Sequence, residues 1–387
     1  MILLKKYKFH FIVFFLISCG VKRKDSSDLR LTSSFDLVKI DSVKVPILGN
    51  PTVHDISPSQ EIILFVDYKE SSEIIHIVDF EGNEISSFSK IGDIPDSYGS
   101  LRTTLLIQED STFLAFGTNG FISYNFSGQT VSKQELKNFQ PPNSFIIGMG
   151  NGLKKFKDKF LFANLGEGIE SIPDIKPFAW LDPTSGEKVS FSKIPTSTLF
   201  HNGKNFFKNA WNPVFDIHQE YIYVVFGIEP TLFILSAVNP DKILNSFPLS
   251  LPDYHYFKGS DRNRSDPRLF GQVQTSGKIT NIEFYKGYFL ISYFPGYDLA
   301  DTEERFENKS TTESIEFRKR MENKYPNRLA VFDSLGNFVK DFTPEKNGLL
   351  GGSMIVRDNQ LWMVEKPNDQ IEQDYFRLFR VDFQVEK

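Results

Sequence analysis

Ile74-Ile75-His76-Ile77-Val78-Asp79-Phe80-Glu81-Gly82-Asn83-Glu84-Ile85-Ser86-Ser87-Phe88 is the stretch that decides the fold. Two runs of strand length flank a turn in which the aspartate and the glycine each have a mechanical use. A turn aspartate accepts backbone N–H groups just ahead of it, and glycine takes the positive φ that a tight antiparallel connection demands. Immediately upstream lies another run of the same kind, Glu61-Ile62-Ile63-Leu64-Phe65-Val66-Asp67. The unit is therefore strand, strand, Asp-x-x-Gly turn, strand.

The unit recurs along the chain. It returns at 112–116 and 121–125 with Ser127-Gly128, at 159–163 and 178–182 with Ser185-Gly186, and at 221–226 and 232–235 with Asn239-Pro240-Asp241. A fifth copy spans 288–293 and 329–333 with Leu335-Gly336-Asn337, and a sixth begins at 360–364 and 376–382. A period of about 45 to 55 residues built from short strands is that of a β-propeller blade. The expected fold is all-β, one propeller domain over 35–387 with six blades, seven being the alternative count. Inner strands are expected just upstream of each unit, as at 52–57 and 281–285. The sixth unit stops one strand short, while 35–46 carries an unassigned strand pattern, so an N-terminal strand is expected to close the ring and cover the last blade edge. The 39 phenylalanines suit such a fold, because the residue favours strands and buries a large apolar area.

Two insertions break the period, at 252–278 and 298–327. The second contains Ser310-Thr311-Thr312-Glu313, a capping box that predicts a helix over 314–324. In the first, residues 260–266 have oxygen ligands at alternate positions in the manner of a calcium loop. Asp266 stands where glycine must make the turn, however, and Gln272 where a bidentate glutamate belongs. No metal is assigned there. Arg262, Arg264 and Arg268 are instead candidates for binding a carboxylate or phosphate through paired guanidinium donors, with a solvated loop as the simpler reading. Trp180, Trp211, Trp362, Tyr254 and Tyr256 would stack on sugar rings if exposed, and pack into the core otherwise.

Five histidines follow residue 19: His54, His76, His201, His218 and His255, none at metal-ligand spacing from another. His54 with Asp55, and Asp216 with His218, fall where the inner strands of the first and fourth units line a central channel, and His201 lies shortly before the second pair. These four are the candidate catalytic residues. Converging in the channel they would supply a general base or hold a metal, and scattered they are ordinary polar lining. His76 reads as a sheet-surface residue. Gly148-Met149-Gly150-Asn151-Gly152 departs from the dinucleotide fingerprint at Leu153 and precedes a strand, so no cofactor is expected. A net charge of −5 with no basic run beyond residue 24 argues against a nucleic-acid partner. A monomer is expected.

The N-terminus begins with a cationic segment at 5–8 and an apolar run at 9–17 broken only by His10. That run is about half the roughly 20 residues needed to span a bilayer, and has the form of a signal peptide. Leu16-Ile17-Ser18-Cys19 resembles the bacterial lipobox. The resemblance implies removal of 1–18, acylation of the Cys19 thiol with diacylglycerol and palmitate-type chains, and a polar tether over 19–34. Cys19 is the single cysteine, so its modification would leave no thiol for disulfides, nucleophilic catalysis or metal binding.

Taken with the six-unit pattern and stretches such as Asp216-Ile217-His218 and Pro230-Thr231-Leu232-Phe233, the chain resembles Bacteroidota lipoproteins of unknown function that carry a propeller-like domain. This implies attachment to the outer membrane, facing the periplasm or the cell surface, and brings no activity with it. The expected role is a binding or scaffold module that meets the lipid bilayer through Cys19 and a protein or glycan through its propeller. Two alternatives stay open: a propeller hydrolase or lyase acting on carbohydrate or peptide with or without a metal, and a periplasmic sensor or assembly factor.

Overall fold

A computed structural model describes residues 35–48, 51–69, 72–135, 147–164, 175–207, 209–264, 266–368, 371 and 373–385. The expected signal peptide, Cys19 and the expected tether lie outside the described residues. The first strand, β1 (Phe35–Val45), precedes the first complete sheet: β2 (Thr52–Ser57), β3 (Ile62–Lys69), β4 (Ser72–Asp79) and β5 (Glu84–Phe88). The second sheet holds β6 (Leu106–Ile107), β7 (Thr112–Gly117), β8 (Gly120–Asn125) and β9 (Thr130–Gln134). The third holds β10 (Lys154–Phe156), β11 (Lys159–Ala163), β12 (Phe178–Leu181) and β13 (Lys188–Phe191). The fourth holds β14 (Pro213–His218), β15 (Tyr221–Phe226), β16 (Thr231–Ser236) and β17 (Ile243–Pro248). The fifth is β18 (Lys278–Tyr285), β19 (Tyr288–Phe294), β20 (Arg328–Asp333) and β21 (Phe338–Phe342), followed by β22 (Leu349–Arg357), β23 (Gln360–Glu365) and β24 (Phe376–Val385). The last sheet has the order β1-β24-β23-β22, so the N-terminal strand supplies the missing outer strand and closes a six-bladed propeller as expected.

The turns work as the opening stretch predicts. Asp79 Oδ1 accepts the N–H groups of Glu81 at 2.9 Å and Asn83 at 2.8 Å, and Gly82 has φ +87°. A Cβ on Gly82 would sit 2.2 Å from the Lys44 carbonyl oxygen of β1, so this glycine also permits the close approach of the closing strand. Asp333 repeats the arrangement with Leu335 and Asn337.

Packing explains why the middle strands read as continuous apolar runs. Each blade has neighbours on both faces, so residues of both parities are buried. In β3, Ile62, Leu64 and Val66 join Ile107, Phe113 and Ile122 of the second blade, whereas Ile63 and Phe65 join Ile355, Trp362 and Leu378 of the sixth. A cluster of this kind fills every gap between adjacent blades. The same geometry corrects the reading of His76: it is buried rather than surface, stacked on Phe65 with ring centroids 4.9 Å apart and paired with Glu84 at 2.7 Å. Trp211 and Trp362 are core residues, and Trp180 stacks on Phe191.

The ends of the ring differ. Both insertions lie on the face where the inner strands begin: one leads into Lys278 of β18, and the other leaves β19 at Phe294, which pairs with Lys278. In the first insertion α1 (Pro267–Thr275) forms, and in the second α2 (Leu299–Arg305) and α3 (Thr311–Lys324). The Ser310–Glu313 capping box is made in full. β1 starts on the opposite face, since Phe35 pairs with Val385 at the far end of β24.

Candidate functional site

The channel comes first because the sequence pointed there. His54, Asp55, Lys154, Asp216 and Arg357 line a cavity of about 160 Å³ at the ring axis. The carboxylates in and beside it are committed to joining blades. Asp55 accepts Ile107 N–H from the second blade at 2.8 Å, Asp216 accepts Phe284 N–H from the fifth at 3.3 Å, and Glu283 accepts Val356 N–H from the sixth at 3.1 Å. Lys154 spans Asp216 at 3.0 Å and Glu283 at 3.2 Å, while Arg357 donates to the Ile107 carbonyl at 3.2 Å beside Asp55. Burial and the neighbouring Asp216 charge raise the Glu283 pKa against the pull of Lys154, because one cation serves two carboxylates.

His54 is equally occupied. Its Nδ1 accepts Leu105 N–H at 2.9 Å, which leaves Nε2 to donate to the Tyr68 hydroxyl at 3.1 Å. Burial pushes its pKa down to about 3, so the ring stays neutral. His218 packs on Phe284 with centroids 4.8 Å apart, and His201 bonds the Ile194 carbonyl. Three of the four catalytic candidates thus share one cavity, with their polar atoms engaged in holding blades together. Among the described residues no three His, Cys, Asp or Glu side chains gather as a metal-binding group.

Sequence reasoning missed Lys154, Glu283 and Arg357, and with them the use of the glycine-rich segment. Residues 148–152 run into β10 and cross the axis: Asn281 of the fifth blade donates to the Met149 carbonyl at 3.2 Å, and Asn151 donates to the Thr280 carbonyl at 3.1 Å. A Cβ on Gly150 would lie 2.0 Å from the Met354 carbonyl oxygen. The glycines permit a backbone plug, and their density was the available signal.

The second site lies where the insertions meet. Backbone bonds join them: His255 N–H to the Pro295 carbonyl at 2.8 Å, and Tyr297 N–H to the Thr275 carbonyl at 2.8 Å. Gly271 of α1 faces the Phe306 ring, which a Cβ would meet at 2.3 Å. Between them opens a cleft of about 390 Å³ lined by the 254–258 segment, by Gln272, Thr275 and Ser276, and by Tyr297, Leu299 and Thr302. Tyr254 is fixed by its hydroxyl bond to the Ile228 carbonyl, and Tyr256 lies beside it at 5.6 Å between centroids. Tyr256 and Phe257 are half-buried, so each keeps part of a ring open. Burial and Glu229 raise the Tyr256 pKa, which keeps the phenol protonated as a hydrogen-bonding group. On the far side of Tyr297 a second cleft of about 560 Å³ runs past Met321 and Tyr325 toward Lys346 and Lys366. Tyr297 is held between the two by Tyr325 at 4.9 Å and Phe317 at 6.2 Å. α3 is pinned by Lys324, which reaches Asp298 at 3.0 Å and Asp301 at 2.5 Å.

The arginine candidates belong to a capped helix. Asp266 is the N-cap of α1 and accepts Arg268 N–H at 3.0 Å; its carboxylate also pairs with the Arg268 side chain at 2.7 Å and faces Arg262 at 3.5 Å. Arg264 donates to Asn205 at 3.3 Å. Arg262 and Arg268 share Asp266 while Arg264 is held by Asn205, so all three guanidinium groups are already engaged within the protein.

No helix among the described residues is long and apolar enough to cross a membrane. No protein-family model and no curated protein matches the sequence. Among solved structures, a member of the DUF4221 family from Bacteroides vulgatus is similar at 13% identity over 91% of this chain and 99% of that one, with a TM-score of 0.59. A candidate exported protein of Bacteroides fragilis is similar at 10% identity over 92% and 95%, with a TM-score of 0.51. The expected likeness to propeller proteins of Bacteroidota is met at this level, and what these similarities share with the chain is its fold, a six-bladed β-propeller.

Proposed function

We propose that this protein is an exported, lipid-anchored binding module that holds a glycan in the cleft between its two insertions. The observation that carries the reading is the cleft itself: half-open aromatic rings of Tyr256, Phe257 and Tyr297 stand among the short polar groups of Gln272, Thr275 and Thr302. A sugar needs both, since its C–H face packs on an aromatic ring while its hydroxyls seek hydrogen bonds. Binding is favoured over hydrolysis because the channel carboxylates and His54 are used in bonds between and within blades. Support for the anchor comes from Leu16-Ile17-Ser18-Cys19 and from the start of β1 on the face opposite the cleft, an arrangement that would turn the cleft away from a bilayer. The name of the Bacteroides fragilis neighbour is consistent with export.

A glycan array probed with the full chain and with Tyr256→Ala tests the ligand. Retention of a subset of glycans by the parent and its loss in the variant are expected; an array on which the parent retains nothing sinks the reading. Cys19→Ala is expected to move the protein from the membrane fraction to the soluble fraction.

A further inference from the structure

We infer that the sugar taken by the insertion cleft is acidic, a uronate or other carboxylated unit whose ring lies on Tyr256 and whose carboxylate meets Lys258 and His255. This rests on the glycan reading above. The charge pattern points to it: the chain carries 49 Asp and Glu against 44 Lys and Arg residues, yet the residues lining this cleft include Lys258, with His255 as a further hydrogen-bonding group, and no acidic side chain. Protein surfaces of overall negative charge repel anions, so a locally basic cleft with no carboxylate in its wall selects for one.

The placement of these two groups agrees. Lys258 Nζ lies 5.5 Å from the centroid of the Tyr256 ring, so stacking platform and ammonium adjoin. Both residues are exposed at the side chain while their backbones are fixed. His255 donates to Pro295 and accepts from Gly277, and the Lys258 carbonyl accepts from Asn202 at 3.1 Å. The backbone that carries both groups is thus held in position before a ligand arrives, which leaves only side-chain freedom to be lost on binding. Glu229, the carboxylate that acts on the Tyr256 phenol, accepts Leu199 N–H at 2.9 Å. Gln272 adds a buried Oε1 without a partner, an acceptor suited to a sugar hydroxyl.

The test is titration calorimetry of the full chain with oligouronates (galacturonate, glucuronate and mannuronate series) and with the same oligosaccharides after carboxyl reduction. Acidic forms are expected to bind about tenfold more tightly at low salt, the preference shrinking as salt rises. Lys258→Met, at an exposed position that leaves the fold intact, is expected to remove most of the preference while keeping affinity for the reduced sugars. Equal affinity for acidic and reduced forms overturns this inference and leaves the glycan reading standing. No binding of either form, together with an empty glycan array, overturns both.

Discussion

Replacing Asp55 tests whether the channel carboxylates are structural. Its Oδ1 accepts Ile56 N–H at 2.9 Å and its Oδ2 accepts Ile107 N–H at 2.8 Å, in a side chain that is 1% exposed. Asp55→Ala strands both donors and removes the carboxylate facing Arg357. Hydrogen bonds to a charged group contribute about 1.5 to 3 kcal/mol each. Burial opposes ionisation here and raises the Asp55 pKa, against the pull of Arg357, so part of that gain is already offset. A net loss of about 2 to 4 kcal/mol follows. Asp55→Asn keeps the shape but offers one oxygen to two N–H groups and turns an NH2 toward the second, so a loss of about 2 to 3 kcal/mol is expected from it as well. With an unfolding entropy of about 2.1 cal/mol/K per residue over roughly 350 residues, 3 kcal/mol lowers the melting temperature by about 4 °C. Differential scanning calorimetry reads this directly. An Asp55→Asn protein that melts within about 1 °C of the parent would refute the stitching argument and return Asp55 to the list of free channel groups.

Gly150→Ala puts a Cβ 2.0 Å from the Met354 carbonyl at φ +82°, so the axial plug must shift; a loss of about 2 kcal/mol or more in urea unfolding is expected, and an unchanged midpoint would mean the plug is not packed as described. Deleting 35–45 uncovers the edge of β24 and removes the buried Val43 and Val45, so gel filtration with light scattering is expected to show concentration-dependent association; a well-behaved monomer of parental stability counts against ring closure by β1. Glu283 has a folded pKa raised by burial and by Asp216, so its stabilising contribution is complete below the unfolded value of about 4.3 and is lost as pH climbs through the raised folded value. Glu283→Gln is therefore expected to flatten the decline of the urea midpoint toward alkaline pH, and a parental slope in the variant would remove Glu283 as its source.

Several features were legible one residue at a time. The Asp79–Gly82 turn and its copies needed only a side-chain acceptor and a positive φ within four residues, and the unfilled sixth unit implied a strand from the N-terminus. Asp266-Pro267 at the start of α1 is an N-cap followed by proline at the first helical position, a signal that the oxygen-rich spacing of 260–266 obscures by also matching a cation loop. His76 reads as a sheet-surface residue only where a strand has one wet face, whereas a propeller blade is covered on both.

The sequence by itself determined the repeat and pointed to the strand that closes the ring, since strand periodicity and turn chemistry are set by near neighbours in the chain; six blades rather than seven was decided by the sheets themselves. Only the tertiary structure decided what the polar residues are for. Lys154 meets Glu283 across 129 positions, and His255 bonds Pro295 across the fifth inner hairpin. Such meetings depend on how six sheets radiate from one axis, which no local pattern encodes. The same geometry that draws His54, Asp55 and Asp216 into a shared cavity binds their polar atoms to backbone and to neighbouring blades, and leaves the open rings to the insertions.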